Sequence, residues 1–378
     1  MSNFAAIDAS VETHLRCSGP CCGLSRRGFV GSIAAAAVAA APTSVFAQAA
    51  SSSSQPAATM RPQNAAGSAL ADIHHHFYPP EMKAAMAEER GGKLGAVFEN
   101  WTVPFMLEEM DKNGVTKAVI SLSTAPMQWF RSEPEPLRKT LRAINENGAK
   151  IVADHPGRFG QFGFVSMTDV DGSLAELAYA LDTLKVDGIG IATSFGDKWP
   201  GDPMFAPIFE ELNRRKAVVH LHPIAPNCCG NLVPNVGDSW LEYPTDSVRA
   251  ILSLLFAGAF RRYSDIKFVF AHGGGTLPML VDRIDYLSKS VKERASFAPN
   301  GLAAELQKLY FDTANATSPP ALAAVLKFAP VSQLMFGTDF PYISTAHNLE
   351  GLRAAGLAEA DMRAIQSGNA ARLMPRIA

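Results

Sequence analysis

Four short stretches carry residues that could do chemistry together: Asp72-Ile73-His74-His75-His76, His220-Leu221-His222, His272-Gly273-Gly274-Gly275 and Gly337-Thr338-Asp339. Neutral imidazoles with a carboxylate suit a divalent transition metal, with Zn(II) the first choice and Mn(II) the second. Side chains alternate along an extended chain, so His74 and His76 face one way and His75 the other. Two histidines at i and i+2 can grip one ion at ~2.0–2.1 Å. A third histidine and an aspartate from distant segments would close the set and leave a position open for water or substrate, as catalytic sites require. His75 reads as structural. His220 lies one layer deeper than His222 and reads as a satisfied core residue before a ligand. Asp72 is placed to orient a ligand from behind. His155 reads as a loop residue, and His347 as a residue of the rim.

Such a site needs elements that bring distant segments to one end. Apolar runs recur at Ala69–His74, Lys117–Leu122, Gly160–Val165, Gly188–Ala192, Ala217–Leu221, Ile266–Ala271, Leu309–Asp312 and Gln333–Gly337. Between them lie stretches of helical spacing, among them Leu137–Ala153, Ser173–Leu184, Phe205–Arg215, Ser247–Tyr263 and Leu277–Lys292. Eight strand–helix units predict an α/β fold, a single (β/α)8 TIM barrel, over residues 67–378. The candidate residues then fall at strand ends, where barrel sites are built. An open doubly wound sheet would want a phosphate loop after an early strand. Gly273-Gly274-Gly275 comes late and lacks the G-x-G-x-x-G spacing.

The preceding residues read as an address. Ser25-Arg26-Arg27-Gly28-Phe29-Val30 leads into an alanine-rich apolar run, and Val45-Phe46-Ala47-Gln48-Ala49 offers cleavage after Ala47 or Ala49. Residues 1–49 thus read as a twin-arginine signal peptide, with passage through the twin-arginine machinery to the periplasm. Residues 50–66, rich in Ser, Ala, Gln and Pro, read as a flexible linker. Hydrophobic residues make up 47% of the 378-residue chain, enough for a sizeable core. Thirty-four basic against 36 acidic residues offer no excess for nucleic acid or an anionic membrane. No window beyond residue 50 has the ~20 apolar residues of a membrane span. Of five cysteines, only Cys228 and Cys229 follow the signal, and they read as loop thiols ahead of a vicinal disulfide or a metal site.

Asp72–Pro80, Val218–Pro223, His272–Pro278 and Gly337–Pro341, with Ala143–Glu146, His155–Phe159 and Leu241–Ala250, resemble the amidohydrolase-related family. The branch is the one with aminocarboxymuconate-semialdehyde and resorcylate-type decarboxylases, and the DIHHHFYPP stretch looks closest to methylsalicylate-type enzymes. The resemblance implies one metal held by His74, His76, His222 and Asp339, with His272 and Asp339 as catalytic residues. Strand 4, Gly188–Ala192, has no lysine to bridge a second ion. Arg283 matches an arginine that in the semialdehyde enzyme reaches a neighbouring subunit's site, which implies a homodimer. The segment Phe105–Asp111 lacks a second substrate-binding arginine of that enzyme. Phe77, Tyr78 and Trp101 are expected instead to wall in an aromatic ring. The expected activity is non-oxidative decarboxylation of a small hydroxyaromatic or unsaturated carboxylic acid. The alternatives are metal-dependent hydrolysis of a lactone, amide or C–C bond by metal-activated water, and an exported binding protein without catalysis.

Overall fold

The computed structural model describes residues 69–378 apart from 90–91, 124–133 and 197. The signal peptide and linker expected at 1–49 and 50–66 lie outside the described residues. Eight strands run in chain order: β1 Ala71–His76, β2 Lys117–Ser121, β3 Phe159–Phe164, β4 Gly188–Ala192, β5 Val218–His222, β6 Lys267–Phe270, β7 Tyr310–Asp312 and β8 Leu334–Met335. Each pairs in parallel with the next. The ends of this nearly closed barrel meet through Ile73 N–H to Phe336 O at 3.0 Å, Asp339 N–H to His74 O at 2.9 Å and His76 N–H to Phe340 O at 2.8 Å. One helix after each strand forms the outer layer: α1 Val103–Asn113, α2 Pro134–Asp154, α3 Val170–Tyr179, α4 Ala206–Arg214, α5 Asp238–Phe256, α6 Leu277–Ser288, α7 Pro319–Leu326 and α8 Thr345–Ala354.

Local sequence explains these elements. Helix α2 buries Leu137, Leu141, Ile144, Gly148 and Ile151, a stripe at three- and four-residue spacing that faces the sheet. Thr102, Asp169 and Ser344 cap α1, α3 and α8 by accepting from backbone N–H groups of the first turn. The strands are buried on both faces, as parallel barrel strands must be.

The differences from the expected boundaries have local causes. Strand β1 outruns the apolar run that ends at His74 and extends to His76, because its ladder to β2 continues through His76 opposite Ser121, past a register shift between Asp72 and His75. The polar side chains end the apolar run without ending the pairing. Helix α5 begins at Asp238, ahead of the expected Ser247, and carries Pro244 inside it. A proline there deletes one helical hydrogen bond and so reads as a stop. The expected thiols are also corrected: Cys228 and Cys229 are joined as a vicinal disulfide.

Two glycines are required by close approach. A Cβ on Gly337 would sit 2.9 Å from the His74 Cβ and 3.1 Å from that of Asp312, where β8 wedges between β1 and β7. Gly275 has φ +66° and lies against the Pro244 carbonyl of α5, so a side chain is excluded by conformation and by space alike.

Candidate metal centre

Four side chains from three strand ends meet at the C-terminal mouth of the barrel. His74 Nε2 lies 3.1 Å from His76 Nε2. Asp339 Oδ1 lies 2.9 Å from His76 Nε2, 3.3 Å from His74 Nε2 and 3.9 Å from His222 Nε2. Ligands at ~2.0–2.2 Å around a tetrahedral ion stand roughly 3.3–3.5 Å apart, so the spacing fits one ion. His74, His76 and His222 are buried.

The opposite ring nitrogens are committed. His74 Nδ1 donates to Asp312 Oδ2 at 2.9 Å, His222 Nδ1 to the Pro223 carbonyl at 2.9 Å and His76 Nδ1 to the Ser121 carbonyl at 3.3 Å. Each neutral ring must then present an Nε2 lone pair to the centre. Three lone pairs and a carboxylate converging on one point are a donor set that fits a metal ion.

In the metal-free protein a proton supplies that charge. Burial opposes a charge on His74, but the Asp312 carboxylate, reinforced by Asp339, raises its pKa to about 10. His76 is lowered to about 4, chiefly by burial, and burial holds His222 well below its usual range. Metal uptake near neutrality therefore expels the His74 proton and draws none from His76. Because the proton competes, apparent affinity is expected to weaken about tenfold for each pH unit lost. Chelator competition across neutral pH checks this; a flat profile would mean that no proton is displaced.

Asp312, at the end of β7, holds the site from behind. Its Oδ2 accepts from His74 Nδ1 and from His220 Nε2, both at 2.9 Å. Its Oδ1 accepts from the His272 N–H at 2.9 Å and the Ala314 N–H at 3.1 Å. Burial works against this carboxylate, yet the neighbouring His74 charge and the hydrogen bonds from both histidines keep it ionised. His220 is thus a satisfied core residue, stacked on Phe162 at 5.2 Å. Asp72 does not touch a ligand ring. It accepts from the His74 and Thr338 backbone N–H groups, the Thr338 hydroxyl and His75 Nδ1, and so ties β1 to the loop that carries Asp339.

His272 follows β6. Its ring centroid lies 4.9 Å from that of His74, and its Nδ1 donates to the Ala314 carbonyl at 3.0 Å. Three strands leave the barrel through a non-glycine residue in the left-handed region: His272 at φ +56°, Asn315 at +51° and Asp339 at +63°. Such backbone is costly and persists only where surrounding bonds hold it. The Asp312 carboxylate grips His272 N–H, the His74 carbonyl grips Asp339 N–H, and the Asn348 side-chain oxygen grips Asn315 N–H.

His222, His272 and Asp339 line one end of a cavity of about 1000 Å³, with Phe98, Tyr243 and Tyr342 among its other walls. Among the described residues, no lysine or arginine lines it.

An amidohydrolase family model matches residues 71–376. The chain belongs to this amidohydrolase family. It is 32% identical over 320 residues to the 6-methylsalicylic acid decarboxylase of Penicillium expansum, covering 82% of this chain and 97% of that enzyme. Its fold is similar to that of 5-carboxyvanillate decarboxylase from Sphingomonas paucimobilis, with TM-score 0.70, 22% identity and coverage of 81% and 99% of the two chains. It is likewise similar to a dihydroxybenzoic acid decarboxylase from Polaromonas sp. JS666, solved with bound manganese and 2-nitroresorcinol. There the TM-score is 0.68, identity 21% and coverage 81% and 96%.

The fold brings His74, His76, His222, Asp339 and His272 together. The residues expected to wall in the ring do not line its cavity. Phe77 and Trp101 are buried and are not among the lining residues. Tyr78 is one hydrogen bond back, its hydroxyl donating to that of the cavity-lining Tyr342 at 2.7 Å. Arg283 is exposed on α6 and lines no part of the cavity within one chain. Asp312, Phe98, Tyr243 and Tyr342 escaped the sequence reading. For Asp312 the available signal was a lone carboxylate at the end of an apolar strand.

Proposed function

We propose that the protein is a metal-dependent carboxy-lyase that removes CO₂ without oxidation from a small hydroxyaromatic acid. One observation carries the reading: the converging histidines and Asp339 open directly into a cavity with aromatic and apolar walls. The likeness to 6-methylsalicylic acid decarboxylase along 97% of that enzyme supports it. His74, His76, His222 and Asp339 would hold the ion, which when bound supplies Lewis-acid anchorage for a carboxylate and its ortho oxygen.

The chain's own groups manage the proton. The bond between ring and carboxyl breaks, its electron pair stays on the ring carbon, and that carbon takes one proton. His272 and Asp339 line the cavity and can carry it. Despite burial, the surrounding His222, His74 and His76 hold Asp339 well below the usual carboxylate range, which suits it to serve as a ligand. His272 has its Nδ1 proton tied to Ala314, which leaves Nε2 as the exchanging nitrogen. His272→Asn is expected to keep its metal and lose about 10²–10⁴-fold in turnover. Metal content and CO₂ release from ortho-hydroxylated aromatic acids are measured on the same preparation. Undiminished CO₂ release would remove His272 from the mechanism, and no release by metal-loaded wild type would remove the reaction.

For the ion, three imidazoles and one carboxylate support Zn(II), and the manganese bound in the Polaromonas structure supports Mn(II). Metal analysis of the isolated protein separates them. We further propose a homodimer and export through the twin-arginine route. The exposed Tyr286 and Leu287 beside Arg283 on α6 support the first, and Ser25–Val30 supports the second.

A further inference from the structure

The cavity is larger than the proposed reaction needs. About 1000 Å³ is at the upper end of pockets that enclose a drug-sized ligand, and a single benzoic acid ring occupies a small part of it. The metal ligands stand at one end. One stretch of the remaining wall is formed by Pro278 and Met279 of α6 and by Pro320, Ala321, Ala324 and Val325 of α7, while Ser239, Thr276 and Asn315 line the cavity elsewhere. The six side chains from α6 and α7 carry no hydrogen-bonding group.

The shape of that wall depends on small residues. Ala321 and Ala324 are three apart on one face of α7, and both are partly exposed towards the cavity. Leu322 and Val325, next along the helix, are buried, and Val325 packs against the turn that presents His272, within 2.9 Å of the position a Gly273 Cβ would take. The α7 backbone is thus fixed to the catalytic turn while its alanines leave a trough between α6 and α7. The trough is continuous with the metal end, so a ligand anchored there by its carboxylate reaches it without leaving the cavity.

We propose that this trough takes an apolar substituent on the aromatic ring. The substrate is a hydroxybenzoic acid bearing an alkyl chain, or a comparably bulky apolar group, longer than a methyl. This inference rests on the decarboxylase reading for the acid's head and on the trough alone for its tail.

The test uses the manganese-loaded protein and ortho-hydroxybenzoic acids with methyl, propyl, pentyl or heptyl chains, placed beside or opposite the carboxyl. Binding is measured by calorimetry and CO₂ release in parallel. Burial of each methylene predicts about fourfold tighter binding, so pentyl should exceed methyl by about a hundredfold or more in one of the two series. In Ala324→Phe the pentyl-to-methyl ratio should fall at least about tenfold, and Ala321→Leu, a smaller intrusion into the same trough, should lower it less. Circular dichroism confirms that both variants are folded. Affinities that do not change with chain length, as expected if a second copy of the chain fills the trough, overturn the inference. So does a gradient that survives both substitutions. A gradient lost in the variants without CO₂ from any acid upholds the trough and sinks the decarboxylation.

Discussion

Asp339→Asn should lower turnover at least about a thousandfold and leave the protein unable to retain its metal through a desalting step. Asparagine is chosen because Asp339 sits at φ +63°, and asparagine tolerates that region better than alanine. The backbone grip from the His74 carbonyl can then persist. What is lost is, among the described residues, the one carboxylate oxygen within 4 Å of all three Nε2 atoms. The neutral amide can meet them with a carbonyl oxygen, but it brings no charge to balance a divalent ion. Metal content by plasma emission and CO₂ release from the best acid are the two readings. A variant that retains metal and more than about a tenth of wild-type turnover would strip Asp339 of both assigned roles.

Asp312→Asn should cost about 3–5 kcal/mol of stability and weaken metal binding about 10–100-fold, although Asp312 touches no metal. The reason is donor arithmetic. Oδ2 accepts from two histidine nitrogens and Oδ1 from two backbone N–H groups. An amide turned either way sets its NH₂ against two buried donors, and each orphaned group costs about 1–3 kcal/mol. His74 also loses the carboxylate that fixes its Nδ1 proton, and with it the outward lone pair. Denaturant melts of the metal-free protein report the first loss, and chelator competition reports the second. Wild-type values in both would mean that the four hydrogen bonds do not organise the site.

Much of this was legible beforehand because barrel chemistry is written at strand ends. His74 and His76 stand at i and i+2 on β1, and the alternation that sends them inward sends His75 to Asp72 and to a stack on Phe340. His222, His272 and Asp339 each close a short apolar run followed by glycine or proline within two residues. Asp312 looked ordinary because its importance lies in four partners, none of them near in sequence except Ala314. Phe77 and Tyr78 show the converse: adjacency to His76 suggested the cavity wall, but both are buried and neither is among the lining residues. Part of the wall comes from Phe98 and Tyr342, in the segments that follow β1 and β8, and from Tyr243 in α5 just ahead of Pro244, where a proline obscured the helical pattern.

The ligands also lie far apart along the chain. His76 and Asp339 are 263 positions apart, and they meet only where β1 and β8 are stitched together. A chain emerging from the ribosome must have passed Asp339 before the coordination set can exist. Metal therefore cannot template the early fold. It is captured by a barrel that has already closed, and it then rewards closure by mass action. Limiting metal during expression should consequently yield folded but empty barrels rather than aggregated chain, and late loading should restore them.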